Sequence, residues 1–253
     1  MAFIHIDHTP HTTRVCQALN LIVPDPGSMN GTPVRARKVL YLLHGLSDDA
    51  SAWPRYTAIE TLAAEYGLVV VMPSVGRSFY ADLPNGQAYF TYLTQELPGY
   101  LSDVFDLSPK RENTLIAGVS MGGYGAIKAA LAYPERFCAA ASLSGFLSLK
   151  FLELYPNDPR RQEFASVFGD LRQLTGGAHD PETWLKKAAA IQAALPRLYI
   201  ACGRQEDLYP LNQIFRAACQ GLGLGLEYHE EDSRHEWPFW DAQIRKFLTF
   251  ALG

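Results

Sequence analysis

The sequence predicts an α/β protein with a mainly parallel central sheet and helices on both faces. Three observations carry that reading. Short apolar runs of strand type alternate with stretches of helical periodicity along most of the chain. Several of those runs, such as residues 37–43 and 68–72, are almost continuously apolar, as strands buried on both faces must be. One run, Asn113-Thr114-Leu115-Ile116-Ala117, turns through Gly118-Val119-Ser120-Met121-Gly122-Gly123-Tyr124-Gly125 into an alanine-rich helical stretch. The chain has 253 residues, of which 48% are hydrophobic and 19% charged. That is enough apolar material for one large domain, expected to span residues 1–253.

In chain order, residues 3–7 and 14–23 alternate in the manner of two paired strands joined around Thr9-Pro10-His11, an antiparallel lead-in to a mixed sheet. The composition of residues 24–33 predicts a loop. Residues 37–43 form the next strand, and His44-Gly45-Leu46-Ser47-Asp48-Asp49 follows it. A helix is expected over 54–66, stopped by Gly67, then a strand over 68–72. The loop from Pro73 to Asp82 holds Arg77, Phe79 and Tyr80. It leaves the carboxyl edge of the sheet, where open α/β sheets bind ligands. Residues 92–105 predict a helix that Pro98 bends or restarts. After the Ser120 turn and its helix, a strand over 137–143 ends in Ser144-Gly145. Residues 146–195 are polar and mostly helical. They form an excursion within the same domain, placed where a cap over a site can be inserted. A strand over 197–202, a helix over 211–222, a strand over 226–230 and a closing amphipathic helix over 238–252 complete the pattern.

The formal net charge of −4 argues against nucleic acid or an acidic membrane surface as partner. The basic clusters Arg35-Ala36-Arg37-Lys38 and Arg160-Arg161 are expected on solvated surface. Cys16, Cys138, Cys202 and Cys219 are scattered without metal-type spacing, and Cys138 and Cys202 are expected to be buried thiols. His5, His8 and His11 lack a completing acidic or cysteine ligand, so no metal is expected there. The N-terminal residues lack a basic region followed by a long apolar core, and no apolar stretch is long enough to span a bilayer. A cytoplasmic enzyme is the resulting expectation.

The chemistry centres on Ser120. A strand that turns sharply into a helix, with serine at the apex and glycine two positions to either side, is the nucleophile-elbow pattern. Side chains at Gly118 and Gly122 are expected to clash with the adjoining strand and helix. The turn exposes the serine hydroxyl and sets the Met121 amide at a helix N-terminus, where negative charge is stabilised. A second amide, that of Leu46, is expected from the loop after the early central strand. His44 is expected to be structural. A serine hydroxyl also needs a base, and a carboxylate to orient that base. His235 and Asp207 both follow strands beyond the elbow and are the expected base and acid. His229 lies inside a strand, and His179 has no strand beneath it. Glu206 is expected to point elsewhere, Asp170 and Asp180 lie in the excursion, and Asp232 is too near His235 along the chain.

The segments Leu42-Leu43-His44-Gly45-Leu46-Ser47-Asp48, Met72-Pro73-Ser74 with Arg77-Ser78-Phe79-Tyr80, and Gln95-Glu96-Leu97-Pro98 resemble the tributyrin esterase branch of the esterase D family. So do Gly118 to Ala126 and the closing Arg234-His235-Glu236-Trp237-Pro238-Phe239-Trp240. The resemblance covers essentially the whole chain. It implies an α/β-hydrolase fold and a serine esterase acting on short-chain acyl esters. The implied triad is Ser120, Asp207 and His235, with Leu46 and Met121 as oxyanion donors and no metal or cofactor. Relatives of that family include S-formylglutathione hydrolases, feruloyl esterases and carbohydrate acetyl esterases. A small-molecule ester is the implied partner, and a homo-oligomer is compatible with it. Ser233-Arg234 replaces a Gly-Gly pair common before the base. Phe79, Tyr80, Tyr89 and Trp237 are the expected aromatic wall of a substrate site.

Overall fold

The computed structural model describes residues 1–25, 37–191 and 194–253. Most of the loop expected over 24–33, and Arg35 and Ala36 of the first basic cluster, lie outside the described residues. The chain opens with β1 (Ala2–His8) and β2 (Gln17–Val23), followed by β3 (Lys38–Leu43), β4 (Leu68–Pro73) and β5 (Thr114–Val119). β6 (Ala139–Leu143), β7 (Arg197–Gly203) and β8 (Glu227–Glu231) complete one sheet. Its order is β1-β2-β4-β3-β5-β6-β7-β8. β1 and β2 pair antiparallel, as do β2 and β4, and all other neighbours are parallel. The expected antiparallel lead-in and parallel body are both present.

The near-continuous apolar runs are explained by two cores, one on each face. In β3, Val39, Tyr41 and Leu43 face one core and Leu40 and Leu42 the other. The second core is closed by Trp53 of α1 (Ala52–Tyr56), Ile59 and Leu62 of α2 (Ile59–Tyr66), and Ile244, Phe247 and Leu248 of α10 (Trp237–Leu252). The first is covered by α5 (Met121–Ala132) and α9 (Tyr209–Gly221), through residues such as Tyr124, Ile127 and Phe215. Burying each of these larger side chains stabilises the fold by about 1.5–3 kcal/mol.

Two helices differ from expectation for identifiable reasons. The helix expected over 54–66 is two helices, α1 and α2. At the break the Thr57 hydroxyl donates to the Trp53 carbonyl at 2.6 Å, and the Ala58 amide donates to Asp241 Oδ1 of α10 at 2.8 Å. Gly67 ends α2 in the left-handed region at φ 63°, as expected. The stretch containing Pro98 begins as α3 (Tyr89–Thr91), widens to π-helical turns over Tyr92–Glu96, and resumes as α4 (Leu97–Phe105). Pro98 therefore sits in a first turn, where its missing N–H costs little.

The excursion carries α6 (Phe151–Leu154), α7 (Arg161–Phe168) and α8 (Pro181–Ala190). Arg37 is a correction: it is buried, and its Nη1 donates to the Pro24 carbonyl at 3.0 Å. Arg160 stays partly exposed, paired with Asp158. Cys202 and Cys219 are buried, Cys138 is half-buried and Cys16 is exposed, all as free thiols. No helix among the described residues is long and apolar enough to cross a membrane.

Candidate active site

Ser120 joins β5 to α5 with φ 53° and ψ −117°. A non-glycine residue held there stores about 1–3 kcal/mol of strain. The glycines beside it are required by contact. A Cβ on Gly118 would lie 2.4 Å from the Gly122 backbone, and one on Gly122 would lie 2.4 Å from the Leu43 carbonyl oxygen. β3, β5 and α5 thus approach more closely than any side chain allows. Met121 follows as the first residue of α5, among the amides that have no intrahelical acceptor. Its thioether is occupied elsewhere, accepting from the Phe79 amide at 3.3 Å.

His235 lies between β8 and α10. Its Nδ1 is 2.6 Å from Glu206 Oε2, and the Glu206 side chain is fully buried while His235 is 40% exposed. A carboxylate accepts, so the ring hydrogen sits on Nδ1 and Nε2 is left free to take a proton. The other oxygen, Glu206 Oε1, accepts from Ser144 Oγ at 2.6 Å and from the Gly203 amide at 2.8 Å. Asp207, expected beside His235, is not there. It is exposed, and its carbonyl accepts from the Tyr155 hydroxyl at 3.3 Å. The Glu206 side chain folds back under the ends of β6 and β7, and the next residue along the turn faces outward. Both acids follow the same strand, so the sequence alone held no signal that separated them except the phase of this turn.

Ser120, Leu46 and His235 line one cavity of about 350 Å³, with Phe79, Trp237 and Trp240 among its walls. Tyr80, expected as a substrate contact, is a correction. It is fully buried, donates from its hydroxyl to the His44 carbonyl at 3.1 Å, and fills the space a Cβ on Gly125 would need. Tyr89 is buried and is also absent from this cavity. Phe79 takes its place in a tight ring cluster with Tyr124, Phe146, Phe164 and Phe168, at centroid distances of 5.9, 5.4, 5.7 and 5.2 Å.

His44 is a structural residue, as expected. Its Nε2 accepts from the Val75 amide at 3.0 Å, which leaves Nδ1–H to donate to the Gly45 carbonyl at 2.7 Å. Burial lowers its pKa and keeps the ring neutral. Arg77 fixes the same loop: Nη1 donates to the Leu46 carbonyl at 3.3 Å, and Nη2 to Glu163 of α7 at 2.8 Å. Arg160 of the excursion also reaches the cavity, as does Asp48. Of the other histidines, His5 meets Asn20, His8 meets Tyr92 and His229 meets Glu227. His179 packs on Phe168.

The family model described as "Putative esterase" matches residues 17–250. An acetyl esterase of Caldicellulosiruptor saccharolyticus is 31% identical over 238 residues, covering 92% of this chain and 90% of that protein. Among solved structures, a fluorophosphonate-binding serine hydrolase F of Staphylococcus aureus, substrate bound, is 34% identical with a TM-score of 0.90. It covers 100% of this chain and 98% of that one. An S-formylglutathione hydrolase of the same organism is also 34% identical, with a TM-score of 0.88 and coverage of 100% and 99%. An α/β-hydrolase fold, a serine at a strained elbow and a match spanning nearly the whole chain lead to one conclusion: this chain belongs to that esterase family and is a serine carboxylic ester hydrolase.

Proposed function

We propose that the protein is a carboxylesterase of short-chain acyl esters that works through Ser120, His235 and Glu206. The observation that carries this reading is the 2.6 Å contact between His235 Nδ1 and the buried Glu206 carboxylate, with Ser120 in the same cavity. His235 Nε2 takes the Ser120 proton as the hydroxyl oxygen attacks the ester carbonyl. Glu206 holds the tautomer and balances the imidazolium charge. The Leu46 and Met121 amides receive the oxyanion, each contributing about 3 kcal/mol to the transition state. The alcohol departs with the proton from His235. Water then gives a proton to His235 and attacks the acyl-serine carbonyl, and His235 returns that proton to Ser120 Oγ as the acid is released. The packed ring cluster around Phe79 supports a small acyl group, because it closes the cavity with side chains that have little room to move. Trp237 remains the proposed substrate contact on the other wall, with Phe79, and the tributyrin esterase branch is the proposed place within the family.

Replacing Ser120 with alanine should lower kcat on p-nitrophenyl acetate on the order of a million-fold. Ordinary turnover in Ser120→Ala would remove the serine from the mechanism. A thioesterase acting on S-formylglutathione is the second reading, favoured by the 34% identity to a hydrolase of that substrate. The same triad serves both, so the relative kcat/KM on S-formylglutathione and on an acetate ester decides between them.

A further inference from the structure

We propose that Ser144 and Trp240 are positioning residues that hold the Glu206 carboxylate, and through it His235, in working geometry. The inference rests on the triad reading above. Ser144 follows β6, is fully buried and has φ 51°, a left-handed conformation that a non-glycine residue rarely adopts. Its amide donates to the Ala201 carbonyl at 2.7 Å, which fixes it against β7. Trp240 Nε1 lies 2.9 Å from Ser144 Oγ, and Ser144 Oγ lies 2.6 Å from Glu206 Oε1. An indole N–H can only donate. Ser144 Oγ must therefore accept from Trp240, and its one hydrogen goes to Glu206. With the Gly203 amide, this gives Oε1 two donors and leaves Oε2 for His235. The Trp240 ring also meets the His235 ring edge-on, with centroids 4.8 Å apart at 85°. One side chain thus orients the acid through its N–H and confines the base through its ring.

The test uses Ser144→Ala and Trp240→Phe, singly and together, with kcat and KM on p-nitrophenyl acetate measured across pH. Phenylalanine removes the N–H and keeps a smaller aromatic ring against His235. Ser144→Ala should lower kcat about 10- to 100-fold, the scale of a small misplacement of catalytic groups, and leave KM within about twofold. Trp240→Phe should lower kcat about tenfold by the same argument. The double variant should lose less than the product of the two single losses, since the indole N–H acts through the hydroxyl. Ser144→Ala should also move the acid limb of the kcat/KM profile to higher pH. With one donor gone from Oε1, more charge rests on the oxygen facing the imidazolium. A Trp240→Phe enzyme within about twofold of wild type in kcat, additive losses in the double variant, or lost activity with an unmoved pH limb would each overturn the proposal. Glu206→Gln, measured in parallel, separates the two levels. If it keeps full activity the triad reading fails. If it collapses while Ser144→Ala is unaffected, only the positioning role fails.

Discussion

Glu206 and Asp207 show how little separates an acid that reaches His235 from one that does not. Both follow β7, and the shorter side chain was the expected partner of His235. Glu206 has one more methylene, and its carboxylate turns back to the Gly203 amide and the Ser144 hydroxyl. Gly203 makes this possible. A Cβ there would lie 2.3 Å from the Ser233 carbonyl oxygen and 2.8 Å from Glu206 Oε1. Ser233 belongs to the loop that carries His235, and its carbonyl accepts from the Gln205 amide at 3.1 Å. The Ser233-Arg234 replacement is accommodated there: Ser233 Oγ and the Arg234 amide both donate to Glu236 Oε1, and Arg234 Nε to Gln205 Oε1. Phe79 carries a prediction at this scale. Phe79→Leu should shorten the wall of the cavity. The kcat/KM ratio of octanoate to acetate p-nitrophenyl esters should rise about tenfold, since one or two buried methylenes are worth about 1–3 kcal/mol in such a pocket. An unchanged ratio would mean that the acyl group lies elsewhere.

Among the elements, α5 does the most for the site and carries a hidden cost. It begins at the strained serine, and its glycines admit β3 and the Tyr80 ring. Two turns on, Lys128 is buried. Its ammonium lies over the Phe90 ring at 4.1 Å and donates to the Tyr80 carbonyl at 3.4 Å, with Asp82 and His179 as the charged or titratable neighbours. Burial lowers its pKa from 10.5 to about 8, partly offset by Asp82. Because the folded value lies below the unfolded one, the unfolded chain binds more protons between about pH 8 and 10.5. This group's contribution to stability therefore rises with pH across that window, by about 3 kcal/mol in all. Lys128→Met should be more stable than wild type at pH 7 in urea unfolding, and the difference should shrink as the pH approaches 10. A difference independent of pH would show that the amine is not desolvated as the structure indicates. His179 is lowered to about 4, chiefly by burial and then by Lys128, so it stays neutral near pH 7 and adds no charge beside the amine.

At the scale of the molecule, the sheet brings the carboxyl ends of β3, β5, β7 and β8 to one edge, so that Leu46, Ser120, Glu206 and His235 meet although 189 positions separate the first from the last. The parallel body of the sheet and the serine elbow were legible in the sequence, because strands buried on both faces must be apolar throughout and the elbow glycines must be glycine; Glu206 as the partner of His235 was not. What was not legible depended on distant partners. The break at Thr57 and Ala58 is set by Asp241, far along the chain. Arg37 is buried because the Pro24 carbonyl receives it. Tyr80 left the expected substrate wall because Gly125 and the His44 carbonyl give it a place inside. The acid beside His235 was decided by a contact to Ser144, just past the end of β6 and 62 residues earlier. Periodicity reports which face a residue takes, and none of these contacts is periodic.

The central claim is that Glu206, and not its neighbour, supports His235. Steady-state kinetics of Glu206→Gln and Asp207→Asn on p-nitrophenyl acetate test it most directly. Glu206→Gln should lose on the order of 10⁴-fold in kcat, as a triad does when its acid can no longer hold the tautomer, and Asp207→Asn should stay within about threefold of wild type. The reverse pattern, a collapse in Asp207→Asn with Glu206→Gln still active, would contradict the account.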